Sequence, residues 1–163
     1  MQSAPSYVFS GDVAVGASSV RISGRFQAPN RIAETIQVPG RATVDAVLVG
    51  PTTFVRDPAS GAWQRTTGTG AGADPRAAFS VLLQASVVSR SGGTYQLSVP
   101  AGAAAHLLDA SVPTGPAAAS ARLSGTEILH LEVRFPSRNP PLTMALDYSS
   151  IGVAPPVTVP PVT

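Results

Sequence analysis

The stretch Ala73-Asp-Pro-Arg-Ala-Ala-Phe-Ser-Val-Leu-Leu-Gln-Ala-Ser-Val-Val-Ser-Arg90 decides how the rest of the chain is read. Asp74 suits a helix N-cap, and Pro75 suits the first helical position, where its missing N–H is no loss. Ser89-Arg-Ser-Gly-Gly93 then offers a polar last turn followed by glycine to end it. At the helical period Phe79, Leu82, Leu83 and Val87 share one face. Ala77, Val81, Ala85 and Val88 cover much of the remainder, which leaves Ser80 and Gln84 as a polar strip. A helix over 74–90 with this pattern is apolar nearly all round and has to be buried on more than one side.

Working outward, the chain before this stretch is a succession of alternating segments. Tyr7, Phe9, Val13 and Val15 fall on one side of residues 7–15, with Ser10 and Asp12 on the other. Residues 20–27 repeat the pattern: Val20, Ile22 and Phe26 face one way, Arg21, Ser23, Arg25 and Gln27 the other. That is the signature of a half-buried antiparallel strand. Further strands are expected over 31–38, 42–49, 52–56 and 62–65, separated by Pro39-Gly40, Gly50-Pro51 and Asp57-Pro-Ala-Ser-Gly61. Together these six form a meander of successive hairpins.

After the helix, residues 93–100 place Tyr95, Leu97 and Val99 on one face. The Ala-rich run from Ala101 to Leu108 favours a short helix. Strands follow over 119–124 and 127–135, the latter with Leu129, Leu131, Val133 and Phe135 inward and His130, Glu132 and Arg134 outward. A last strand covers 142–148. The sequence therefore divides into a single domain over 1–150 and an extended, polyproline-like tail over 151–163.

Each clear strand has one apolar and one polar face, so the fold class is α+β: one antiparallel sheet of about ten strands around one main α-helix. Such a sheet offers far more apolar surface than a single helix can cover. Either the sheet curls round the helix, or a ligand fills the remaining concavity.

Composition narrows the function classes. The 163 residues suit one domain with a sizeable core. Only 12 % are charged, and 15 glycines and 16 prolines favour short elements with many turns. All eleven cations are arginine and lie scattered singly, so the net charge of +2 gives no basic patch and nucleic-acid binding is unsupported. The absence of cysteine removes disulfide and thiolate chemistry. No run of residues is long and apolar enough to read as a membrane span, and Met1-Gln-Ser-Ala-Pro5 does not read as a signal peptide.

Enzymatic motifs are missing as well. There is no Gly-x-Ser-x-Gly, no His-Glu-x-x-His, and only two histidines to act as a base. The nine carboxylates are spread along the chain, with no pair recognisable as facing across a cleft. His130 and Glu132 share a strand face at a spacing two metal ligands can use, but strand alternation explains them without a metal and no third ligand is identifiable. His106 reads as a surface or capping residue. Phe54 and Trp63 suit a carbohydrate-stacking pair, which hairpin packing explains at least as well. The chain is read as a non-enzyme with no cofactor and no metal.

Tyr7-Val-Phe-Ser-Gly11, Gly24-Arg-Phe-Gln-Ala-Pro-Asn-Arg31, Leu48-Val-Gly-Pro-Thr-Thr-Phe-Val-Arg-Asp57, Trp63-Gln-Arg65, Gly93-Thr-Tyr-Gln-Leu97 and the late Leu-x-Leu-x-Val strand carry a resemblance. With the Asp74-Pro75 helix, the chain from Tyr7 to Tyr148 resembles the actinobacterial cell-envelope lipoproteins of the LprG/LppX type, which share the LolA-like half-barrel. The resemblance implies a strongly curved sheet wrapped around helices, with a cavity for acyl chains between them. It also implies an extracytoplasmic, membrane-anchored lipoprotein of the cell envelope, whose acylated cysteine would precede residue 1. A lipid or acylated glycolipid is the implied ligand, and a membrane transporter is an implied partner. Pro51 departs from the usual turn residue, and the segment between Val99 and Ala119 does not align readily.

A lipid cavity needs only a dry apolar lining, since each buried CH₂ contributes ~0.8 kcal/mol. The candidate lining residues are Phe9, Val13, Ile22, Phe26, Ile36 and Val38, then Phe79, Leu82 and Leu83 from the helix, and Tyr95, Leu97, Leu129, Leu131 and Val133. Each also makes sense as plain core. Glu34 falls between Ile32 and Ile36 on the apolar face; a bulge or strand end turning it to solvent is the expected explanation, and a hydrogen bond to a headgroup or an arginine the alternative. The rival functions are a sensor or interaction ectodomain on the same scaffold with a closed core, and a β-sandwich adhesion module.

Overall fold

The computed structural model describes residues 3–67, 79, 82–105 and 115–161. Its strands are β1 (Ser6–Val15), β2 (Ser18–Gln27), β3 (Arg31–Gln37), β4 (Val44–Val49), β5 (Thr52–Arg56), β6 (Trp63–Thr67), β7 (Ser86–Ser91), β8 (Thr94–Val99), β9 (Ala117–Ser124), β10 (Glu127–Phe135) and β11 (Leu142–Ser149). They hydrogen-bond in the order β6-β5-β4-β3-β2-β1-β11-β10-β9-β8-β7, an eleven-stranded sheet that does not close on itself. The six-stranded opening meander is present as expected. The described residues include one short helix, α1 (Ala101–Ala105), whose Ala103 and Ala104 are buried. The part of the expected short helix from His106 to Leu108 lies outside the described residues.

The main helix is corrected. Phe79 and Leu82 have helical backbone, but Leu83 and Gln84 turn, and Ser86 opens β7. The two glycines at the end of the stretch are a hairpin loop rather than a helix stop. Ser91 pairs with Thr94 across them, and Gly92 has φ +56°, the left-handed conformation that two-residue hairpin loops require. The Val87-Val88 pair, poor in helix propensity and good in a strand, goes with the ladder to β8. A sheet wrapped around a main helix over 74–90 is therefore not what residues 86–91 build. They supply the strand that makes the count eleven. The expected cap at Asp74 and Pro75 lies outside the described residues.

The chain divides into two compact units. One comprises the described residues of Ser3–Asp12, Ser19–Ala71 and Tyr148–Thr163. Its core is aromatic. Tyr7 stacks on Phe26 with ring centroids 4.9 Å apart, and meets Tyr148 edge-on at 5.7 Å and Phe9 at 6.4 Å. Phe9 lies over Gly24: a Cβ there would stand 2.7 Å from the Phe9 ring and 2.3 Å from the Ala33 carbonyl oxygen. Glycine is needed at 24 because the neighbouring strand and the ring approach so closely.

The other unit comprises the described residues of Val13–Ser18 and Gly72–Asp147. Its register sets Tyr95, Ala121, Leu131 and Leu146 in one cross-strand row and Leu97, Ala119, Val133 and Met144 in the next. Leu131 and Val133 are completely buried. The reverse face carries Gln96 donating to Ser120 at 3.2 Å, His130 with Asp147 at 2.8 Å, and the Arg134–Glu132 pair. Here the expected division into a greasy and a wet face holds.

Substituting Gly24 by alanine is expected to destabilise the protein by about 1–3 kcal/mol, because the added methyl meets backbone rather than a movable side chain. Denaturant unfolding monitored by circular dichroism measures this directly. An unchanged midpoint would show that Phe9 and the Ala33 backbone do not press on this position.

Candidate ligand-binding site

In the unit built on β1 to β6, the register lays three cross-strand rows on the apolar side of the sheet. Ile22, Ile36 and Val44 form the first, Gly24, Glu34 and Ala46 the second, and Phe26, Ile32 and Leu48 the third. Phe26, Ile32 and Ala46 are buried, whereas Ile22, Ile36, Val44 and Leu48 are only half-buried. The first row is thus an apolar strip that the protein leaves partly open. Phe9, Ile22, Phe26 and Ile36, expected as lining residues, do share this face, and Val38 follows the end of β3, half-buried.

The remaining candidates belong to the other unit. Tyr95, Leu97, Leu131 and Val133 lie together on one face by register. Leu131 and Val133 are sealed in the core, while Tyr95, Leu97 and Leu129 are half-buried. Phe79 is buried and Leu82 and Val13 half-buried. Leu83 is 75 % exposed and Val87 60 %, a consequence of the turn and edge strand that replace the end of the helix.

Glu34 does not turn out. The β2–β3 and β3–β4 ladders run through it without a bulge, so strand alternation points its side chain into the apolar face, where it is 9 % exposed. Gly24 and Ala46, opposite it on either side, are the small neighbours that leave it room. Burial raises its carboxyl above the ordinary glutamate range, since taking the charged form out of water is unfavourable. A protonated carboxyl here can donate a hydrogen bond within an otherwise apolar lining.

The opposite face of the same strands is not simply wet, and that was the feature alternation did not show. After Ser150 the chain returns across it. The Gly152 N–H donates to the Ser6 carbonyl at 2.8 Å, the Ala154 N–H to Ser6 Oγ at 3.1 Å, and the Val157 N–H to Gln27 Oε1 at 2.8 Å. Val157, 1 % exposed, packs with Val47 and Phe54 beside Ala33, Val49 and Trp63. Phe54 and Trp63 therefore form the socket for the tail. Between tail and strands lies a groove of about 520 Å³. The signal in the sequence was the group of apolar residues Val47, Val49, Phe54 and Trp63 among Arg31, Thr35, Asp45 and Arg56 on that face.

His130 and Glu132 are engaged separately, with Asp147 and Arg134. Among the described residues no group of three or more His, Cys, Asp or Glu stands close enough to hold a metal ion, and no helix is long and apolar enough to cross a membrane.

Compared with solved structures, the chain matches the crystal structure of the Mycobacterium tuberculosis lipoprotein LppX with a TM-score of 0.62, at 12 % identity, over 97 % of this chain and 91 % of that one. The fold is that of LppX. The family resemblance read from the strand motifs thus holds at the level of architecture. No family model and no curated protein sequence matches the chain.

Two outcomes are expected. Val157→Asp, which puts a charge into the apolar socket, should lift the tail, lower stability by about 1.5–3 kcal/mol and shift Trp63 fluorescence to the red; an unshifted spectrum would show that the tail does not cover Trp63. For Glu34 the folded state holds its proton more tightly than the unfolded state. Stability therefore falls as pH rises from the unfolded value through the raised folded one. Glu34→Gln should remove that slope, so its gain in melting temperature over wild type grows as pH rises above the ordinary glutamate range. A gain that stays constant as pH rises would contradict burial of the carboxyl.

Proposed function

We propose that the protein is a non-catalytic, extracytoplasmic carrier that holds the acyl chains of a lipid or lipidated ligand against the apolar face of its sheet. The observation that carries this reading is the Ile22–Ile36–Val44 row, an aligned apolar strip left half-open on the apolar face of strands β2 to β4, in a chain with the LppX fold. LppX is itself described as a lipoprotein, in keeping with the resemblance drawn from the strand motifs. Ile22, Ile36, Phe9 and Phe26 are the proposed ligand contacts in this unit, with Val38 at its rim. Tyr95, Leu97 and Leu129 are the open candidates of the other unit, beside Val13, Phe79 and Leu82. Leu131 and Val133 serve it as core, and Leu83 meets ligand only from its exposed position. Glu34 supplies the polar atom in the lining, able to bond an ester or hydroxyl of the ligand while protonated. Anchoring through an N-terminal lipid and delivery to a membrane transporter belong to the same reading.

Chemistry of this kind needs no placed catalytic groups. Apolar contact alone contributes ~0.8 kcal/mol per buried CH₂, so a long chain binds once the strip is open to it. Native mass spectrometry of the protein extracted under mild conditions is expected to show a co-purifying lipid. Ile36→Asp, which places a charge in the middle of the open row, should abolish that adduct while Leu83→Asp leaves it. Absence of lipid from the wild type, together with failure to take up a fluorescent fatty acyl probe, would reject the carrier reading.

A further inference from the structure

The groove on the opposite face has properties that acyl-chain carriage does not use. Its floor is two cross-strand rows: Arg25, Ala33 and Val47 in one, and Ser23, Thr35 and Asp45 in the other. Ser23 and Ala33 are small and sit at the centre, which is why a volume remains beneath the tail. The tail cannot sink into it as an added strand, because Pro155, Pro156, Pro160 and Pro161 have no N–H to donate. It touches down at Val157 and leaves Pro155, Thr158 and Pro160 as the groove's upper wall, with Trp63 at one side. About 520 Å³ lies within the range of small-molecule sites.

Three ionisable residues line this groove, Asp45, Arg25 and Glu34, and strand alternation points the Glu34 side chain to the other face. Asp45 is already engaged: the Thr35 hydroxyl donates to it at 2.8 Å and Arg56 stands 3.7 Å away. Arg25 lines the same groove, and its Nε is buried without a hydrogen-bond partner among the described residues. A buried donor on a permanent cation is unfavourable unless something accepts from it. Guanidinium groups meet carboxylates and phosphates side-on through two parallel N–H donors, of which Nε is one; it is covered as the side chain stands, so an anion pairs with it once the Arg25 side chain turns toward the groove. The rest of the wall is mixed: Val8, Ala33, Val47, Trp63 and the prolines are apolar, and Ser10, Ser23, Thr35 and Thr158 bring hydroxyls.

We infer that this groove is a second binding site, distinct from the proposed acyl-chain face, for a small single-chain amphiphile whose carboxylate or phosphate head pairs with Arg25 while its apolar body lies under the tail. Ser23 supplies a further hydroxyl donor to the head, and Trp63 and the prolines enclose the body.

Trp63 is the only tryptophan in the chain, so its emission reports on this groove directly. The full-length protein would be titrated, below micelle-forming concentrations, with octanoate, octyl phosphate, octanol, acetate and inorganic phosphate. Octanoate, octyl phosphate or both are expected to give a saturable change in Trp63 emission, and comparing the two identifies the head group. Octanol should bind at least about tenfold more weakly, the worth of one hydrogen bond to a charged group, and the two head groups alone should give no change. Arg25→Met should weaken the preferred amphiphile by a similar factor, with partial rescue by Arg25→Lys. Ser23→Leu, which fills the groove and leaves Arg25 in place, should abolish the response with unchanged far-ultraviolet circular dichroism; it decides the matter if Arg25→Met does not fold. The inference is overturned if neither anionic amphiphile gives a saturable change, if octanol binds as tightly, or if Arg25→Met or Ser23→Leu binds like wild type. Ile36→Asp separates the two sites: it should leave the Trp63 titration intact, and loss of the titration in that variant would place the amphiphile on the other face.

Discussion

The stacking of Tyr7 on Phe26, closed from the side by Tyr148, is the interaction on which the unit formed by β1 to β6 and the tail depends. It joins the first strand, the second, and the end of the last. Aromatic pairs of this kind add ~0.5–1.5 kcal/mol to the burial of their large surfaces. Their greater effect here is positional. With Tyr148 held at the core, the chain leaves β11 beside Ser6, and two hydrogen bonds from Gly152 and Ala154 to that residue set the tail on its path. From there Val157 reaches the Val47 and Phe54 socket. A segment of prolines and small residues, with little ability to bury itself, is ordered by a core it does not belong to.

Because the tail covers one side and the first apolar row stays half-open on the other, the same strands present two unlike surfaces. On the inner side Gly24 admits the Phe9 ring and, with Ala46, leaves space about the buried carboxyl of Glu34. On the outer side Ser23 and Ala33 leave space beneath the prolines. Small residues at neighbouring positions in the middle of β2 to β4 thus create room on both faces of the sheet. A polar group stands at each: a carboxyl whose pKa burial raises on one face, and an arginine with an unanswered donor on the other.

Strand positions were legible to within about two residues, because apolar alternation acts locally and each hairpin is closed by its own turn chemistry. Asp57 shows this well: its carboxylate accepts from the Ala59 and Ser60 N–H groups at 2.7 and 3.0 Å, which draws its pKa down and fixes the turn between β5 and β6. The end of the 74–90 stretch was not legible in the same way. Gly92-Gly93 ends a helix or reverses a hairpin equally well by local preference, and only the β8 partner and the Leu123 carbonyl, 2.8 Å from any Cβ placed on Gly93, decide for the hairpin. Of the candidate lining, Phe9, Ile22, Phe26 and Ile36 share one face because alternation is local, whereas Leu83 is exposed because a turn and an edge strand take the place of the helix end.

The antiparallel sheet, its opening meander and the sidedness of most strands could be read from the residues alone, since period-two patterning and turn residues are properties of neighbours in the chain; the likeness to the LprG/LppX type came separately, as a resemblance of motifs. Only the tertiary structure decided that Glu34 stays inward, that an edge strand over Ser86–Ser91 replaces the end of the helix, and that the Pro-rich tail roofs the outer face. Each of these depends on a partner outside the local stretch, most plainly in the tail, where the Val157 N–H bonds Gln27 across most of the length of the chain. No local pattern encodes a contact whose two halves have to be brought together by the core first.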